Sequence, residues 1–336
     1  MDRRWVRMAL AALALLALLA LPVGAAARGK KKKKVKPPPP VVTATATAST
    51  STDGELVSPT ATCPPGTISL GGGFSSEVGR EEGVPTDLLV VYESRRDSPT
   101  SWHVAAARED SGDPGNTTSI TVTVFCQSPN LGTVKKPKKK KKKKRAAAAN
   151  MGKKHRKHKK PKKRTLLISE VSSAGPAADQ AERSSATASC PAGLNVLSGG
   201  FSITPPPTLG GGGLSFPFIW ANHATPANAW TATETTSGTE PMTLTSYAYC
   251  ANTPPPLALT GSGTVAATQT GSATTPACPA DRPVIGGGFD NAPVTAGGST
   301  ELAFESTGSG SGGWTTSAYD VASGAPASLQ AIAYCR

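Results

Sequence analysis

Chemistry in this chain would have to come from few groups. There are only four His residues. His103 follows Trp102, but the matching positions later in the chain hold Thr231 and Thr315. His223 has no counterpart either. His155 and His158 sit three apart among ammonium groups that repel a cation, and a good metal site needs several converging ligands. Glu93 and Glu305 each follow an aromatic residue, yet Ala221 stands at the equivalent third position. Together with Glu77, Glu81, Glu82 and Glu301 they form no recurrent acid–base pair of the kind glycoside hydrolysis uses. Gly71-Gly72-Gly73-Phe74 lacks the Lys-Ser/Thr and the following helix that a phosphate loop requires. No nucleophile elbow, zinc motif or nucleotide fingerprint occurs. The expectation is a protein without catalysis, metal or cofactor.

The residues that do recur are structural. The chain has six Cys, an even count that suits disulfides in an exported protein. Cys63, Cys190 and Cys278 each begin a Cys-Pro run, and Phe74, Phe201 and Phe289 follow them by 11 positions. The first and third Phe close a Gly-Gly-Gly stretch; the second closes Ser198-Gly199-Gly200. An aromatic then precedes a Trp by ten positions: Tyr92 and Trp102, Trp220 and Trp230, Phe304 and Trp314. Each copy ends on Phe125-Cys126, Tyr249-Cys250 or Tyr334-Cys335. Matching spacings at independent landmarks mark an internal repeat. Its units are 41–127, 166–252 and 257–336, the last two separated by a Pro linker at 253–256. The repeat pairs Cys63–Cys126, Cys190–Cys250 and Cys278–Cys335.

These landmarks need β elements to carry them. Ile120 to Cys126 alternates in period two and is rich in β-branched residues, and Leu244 to Cys250 and Leu329 to Cys335 repeat it. Val124, Ala248 and Ala333 share a face with the closing Cys, as do Ile120, Leu244 and Leu329; these should point inward. The glycine stretch reads as a bulge where backbones approach closely, ending in a core Phe. Aromatics are only 5% of the chain, which suits small cores. The expected fold is all-β: three tandem, disulfide-stapled, β-sandwich-like modules. Three units closed into a β-prism is the alternative, placed second because 38 residues lie between Gln127 and Leu166. Trp102, Trp230 and Trp314 recur once per unit. Their ordinary role is to shield a disulfide, and the functional alternative is an exposed platform for a sugar or peptide.

Charge is sharply partitioned. Of 36 Lys and Arg, seven lie in Arg28–Lys36, 19 in Lys135–Arg164 and three near the N-terminus; the seven elsewhere are all Arg. Of 22 Asp and Glu, 21 lie outside the basic tracts and the N-terminal segment. Acidic modules are thus strung on basic cords. The first cord belongs to the 28–40 linker and ends in Pro37 to Pro40; the second belongs to the 128–165 linker. Lys138, Lys139, Lys140, Lys141, Lys142, Lys143 and Lys144 are consecutive, followed by Arg145. Lys153, Lys154, Arg156, Lys157, Lys159, Lys160, Lys162, Lys163 and Arg164 complete the run. Such segments repel themselves and are expected to be disordered. No aromatic interleaves the Lys, so base readout is not expected. What remains is non-specific, salt-dependent capture of a polyanion.

The N-terminus says where that capture would happen. Arg3, Arg4 and Arg7 precede an apolar run from Met8 to Leu21, broken by Pro22 and closed by Ala25-Ala26-Ala27. That is the pattern of a signal peptide over residues 1–27, and the run is short for a membrane span. The expected location is extracellular or at the cell envelope, with no integral span after cleavage.

The pattern Cys-Pro-x-Gly, Gly-Gly-Gly, Trp, aromatic-Cys resembles repeats of uncharacterised secreted proteins of high-GC Gram-positive bacteria. The three units bear a weaker likeness to vitelline-membrane outer-layer β-prism proteins. The shared motifs are structural, so neither resemblance implies a catalytic residue. The expected function is structural or adhesive, with the Lys-rich linkers tethered to teichoic acid, acidic polysaccharide or extracellular DNA. A lectin-like protein that binds carbohydrate through its module loops is the alternative.

Overall fold

A computed structural model describes residues 39–133 and 163–336, apart from 53, 78, 82–83, 111–116, 179–182, 208–215, 238–239, 267–268, 293–300, 311 and 321–325. The signal segment 1–27, all of the first basic tract and nearly all of the second lie outside the described residues.

The protein is all-β. The first unit holds β1 (Val41–Thr50), β2 (Leu56–Val57), β3 (Thr60–Thr62), β4 (Ile68–Glu77), β5 (Gly79–Glu81), β6 (Val84–Ser98), β7 (Ser101–Asp110) and β8 (Thr118–Gln127). Two short strands follow, β9 (Asn130–Thr133) and β10 (Lys163–Thr165). The second unit holds β11 (Ile168–Ala178), β12 (Arg183–Ser189), β13 (Asn195–Thr204), β14 (Phe216–Thr225), β15 (Ala229–Ser237) and β16 (Met242–Ala251). The third holds β17 (Leu257–Val265), β18 (Thr270–Thr274), β19 (Val284–Ala292), β20 (Glu301–Gly308), β21 (Trp314–Asp320) and β22 (Ala327–Cys335).

Each unit contributes one half to each of two sheets. The first sheet runs β1-β8-β4 and continues into β20-β21-β18 of the third unit. The second runs β11-β16-β13 and continues into β6-β7-β2 of the first, with β3 on β7 and β5 on β6. The third runs β17-β22-β19 and continues into β14-β15-β12 of the second. The two half-sheets of a unit face each other, which is the sandwich-like part of the expectation. Joined edge to edge, they close the three units into a three-sided body, the arrangement that sequence placed second. The described residues form one compact unit.

The disulfides tie the facing halves of each unit. Cys63–Cys126, Cys190–Cys250 and Cys278–Cys335 have Cα separations of 5.7, 5.6 and 5.6 Å. Each closes a loop of about 60 residues, and the chain-entropy relation gives roughly 4 kcal/mol of stabilisation apiece. The inward positions on the closing strands are buried as their alternation requires: Ile120, Leu244, Leu329, Val124, Ala248 and Ala333. The Ser/Thr/Ala-rich strands form the corners, where β1 meets β2 and β3, β11 meets β12, and β17 meets β18. Small side chains let these sheet edges cross closely and cover one another, which removes edges open to foreign strands.

Candidate functional site

The three recurring Trp residues are not a surface. Trp102, Trp230 and Trp314 are at most 1% exposed, so an exposed ligand platform at these positions is excluded. Each indole lies on the middle glycine of its own unit. A Cβ at Gly72, Gly199 or Gly287 would overlap the ring of Trp102, Trp230 or Trp314 respectively. Each indole N–H donates to the central strand of the same unit: Trp102 to Ser94 Oγ at 3.2 Å, Trp230 to Asn222 Oδ1 at 2.6 Å and Trp314 to Ser306 Oγ at 3.0 Å.

Those same residues mark the seams between units. Ser94 pairs with Phe201, Asn222 with Phe289 and Ser306 with Phe74. The third glycine of each run, Gly73, Gly200 or Gly288, lies against the carbonyl of that seam residue, where a side chain would not fit. The first position lies where the three units converge. A Cβ at Gly286 would sit 3.7 Å from both Gly71 Cα and Ser198 Cβ. Ser198, the one side chain among the three, donates its hydroxyl to the Leu70 carbonyl of the first unit. The register shifts just before each of these positions, and the bulged residues Leu70, Leu197 and Ile285 turn inward and are buried. The glycine run is a junction motif.

Aromatic contacts interlock the units in a ring. Tyr249 of the second unit meets Trp102 of the first at 5.6 Å, Tyr334 of the third meets Trp230 at 5.4 Å, and Phe125 of the first meets Trp314 at 5.8 Å. Tyr249 Oη accepts the Arg96 backbone N–H at 2.6 Å, and Tyr334 Oη accepts that of Ala224 at 2.7 Å. Burial pushes both phenols well above the ordinary tyrosine range, so they stay neutral.

Polar groups on the outside differ from seam to seam. At the first, Arg95 Nε lies 2.7 Å from Glu93 Oε1 in an ion pair, and the guanidinium lies 5.6 Å above the Tyr247 ring. His103 Nε2 is 3.8 Å from the same oxygen, and its Nδ1 bonds Thr60 Oγ1 at 2.9 Å. The cluster ties Glu93 into an ion pair with Arg95, with His103 beside the same carboxylate oxygen. At the second, His223 Nε2 lies 3.8 Å from Asp290 Oδ2, beside a groove of about 530 Å³ walled by Pro255, Pro256, Gln330 and Ile332. At the third, Glu305 accepts from Ser317 Oγ at 2.6 Å. No group of three or more His, Cys, Asp or Glu among the described residues is arranged to hold a metal ion.

Of the proposed polyanion-binding residues, Lys138–Lys144, Arg145, Lys153, Lys154, Arg156, Lys157, Lys159, Lys160 and Lys162 lie outside the described residues. Lys163 and Arg164 are on β10, with Arg164 exposed. What the structure describes is how this segment is mounted. β9 and β10 pair antiparallel, with Lys163 opposite Thr133 and Thr165 opposite Asn130. The chain therefore leaves and returns at one place. The Leu166 N–H donates to Pro129 O at 2.7 Å, and the Leu166 side chain is buried. Sequence held no cue for this ladder: Asn-Leu-Gly-Thr and Lys-Arg-Thr carry no strand pattern.

No protein-family model matches this chain, and no curated protein sequence matches it significantly. Among the described residues no helix is long and apolar enough to cross a membrane. Three disulfides and no free Cys fit an oxidising, extracellular setting.

Proposed function

We propose that this is an exported, non-catalytic adhesive or structural protein that holds anionic polymers of the envelope or matrix through its Lys-rich segment. The observation that carries the reading is the β9–β10 ladder. It brings the two ends of the 134–162 segment together on a body that carries nine Lys and Arg against 21 acids. That separation lets the loop engage a polyanion while the acidic body stays off it. Teichoic acid, acidic polysaccharide and extracellular DNA share the required chemistry: repeated negative charge on an extended chain. The contact is electrostatic, so it weakens as salt screens it.

A salt wash of cells secreting the full chain tests this. The protein should sit in the envelope fraction at low salt and move to the supernatant at high salt. Protein found wholly in the medium at low salt, or retained through a high-salt wash, would overturn the reading.

A further inference from the structure

The second unit contains a group its sister units lack. Glu234 stands four residues after Trp230, where the others have Ala106 after Trp102 and Ala318 after Trp314. All three positions are fully buried. The fold therefore asks only for a methyl group here, and two units supply one. Glu234 instead places a carboxyl in the interior, and neither oxygen has a hydrogen-bond partner among the described residues. Thr236 Oγ1, two positions along the same strand, is likewise buried and unpartnered. A buried ionised carboxylate without a partner is strongly unfavourable.

The groups on the elements packed against β15 do not relieve it. Strand β12 carries Arg183, which is exposed and lies 4.9 Å over the Trp220 ring. Strand β14 carries His223, beside Asp290. Strand β16 carries Tyr247, bonded to Ser202, and Tyr249, bonded to the Arg96 N–H. Strand β13 carries no titratable side chain.

We propose that Glu234 makes the second unit a pH-responsive element of the body: closed when the carboxyl carries a proton, loosened when it does not. Burial alone raises its proton affinity, moving the midpoint from 4.5 to about 8. Between those values the folded chain holds a proton that the unfolded chain has released. Stability is therefore greatest below the lower value, falls as pH rises through the window, and levels off above the upper one.

The test uses the full chain and two variants, Glu234→Ala and Glu234→Gln. Melting temperature measured between pH 5 and 9 should fall for the parent and vary much less for both variants. Glu234→Ala should melt higher than the parent at pH 9. Hydrogen exchange, corrected for its intrinsic pH dependence, should show strands β14 and β15 opening with pH more than β6, β7, β20 and β21. Should Glu234→Ala fail to fold, Glu234→Gln and the exchange pattern still decide the matter. Parallel pH profiles for parent and Gln variant, or equal opening in all three units, would overturn the proposal.

Discussion

Gly72, Gly199 and Gly287 show how one missing atom can hold a unit together. Each lets an indole lie flat on the backbone, and the buried N–H then finds its acceptor across the sheet. Gly72→Ala should force the Trp102 ring off its seat and cost about 1–3 kcal/mol, read as a lower denaturation midpoint. The closing aromatics offer a paired experiment. Tyr249→Phe and Tyr334→Phe leave a buried backbone N–H without its acceptor, at about 1–3 kcal/mol each. Phe125 is the natural version of that change, and its ring sits against Gly308, the counterpart of Arg96 and Ala224. Phe125→Tyr should therefore be neutral or stabilising, whereas the two reverse changes lower the melting temperature. The landmark residues were legible from spacing alone because a repeat exposes whatever each unit cannot do without. Their roles were less legible. An exposed and a buried Trp have the same spacing, and the glycine that seats each indole is seen only in the folded chain.

At the scale of elements, period-two alternation and the recurring Cys revealed the closing strands β8, β16 and β22 and the staples on them. The seams were not visible in the same way. Strands β4, β13 and β19 join the preceding unit around the ring through only two residue pairs each, made by backbone groups that any sequence supplies. The one trace was the third glycine of each run, which lies under the neighbouring carbonyl. The Lys-rich linker misled for a related reason. A long charged stretch reads as a spacer, whereas β9 and β10 bring its ends together and leave its length free to vary. Replacing residues 134–162 with a short Asn-Gly-type turn should leave the melting temperature within a few degrees of the parent. A collapse of the melt would mean that the segment takes part in the fold. Reduction should act the other way: loss of staples worth roughly 4 kcal/mol each should unfold the chain at temperatures the oxidised protein survives.

The whole molecule is a ring of dependences. Every large sheet needs two units, and every closing aromatic packs on the preceding unit's Trp. The unit 166–252 on its own would expose β13 and β14 as open edges, so the body should melt in a single transition with no separable module. The acidic charge belongs to this body, whereas 17 of the 36 Lys and Arg fall in the segment 134–162, a division readable from residue counts. That the loop springs from one fixed base was not readable, because it depends on a ladder seven residues long in all. Adhesion in this account is a property of the Lys-rich linkers, with the 134–162 segment the more highly charged of them, and the body is their mount. The most direct test compares the full chain with its turn-replaced counterpart on a column of teichoic acid or heparin under a salt gradient. The full chain should bind at low salt and elute as salt rises, and the shortened chain should elute at distinctly lower salt while keeping its melting temperature. Equal retention of the two would contradict the account.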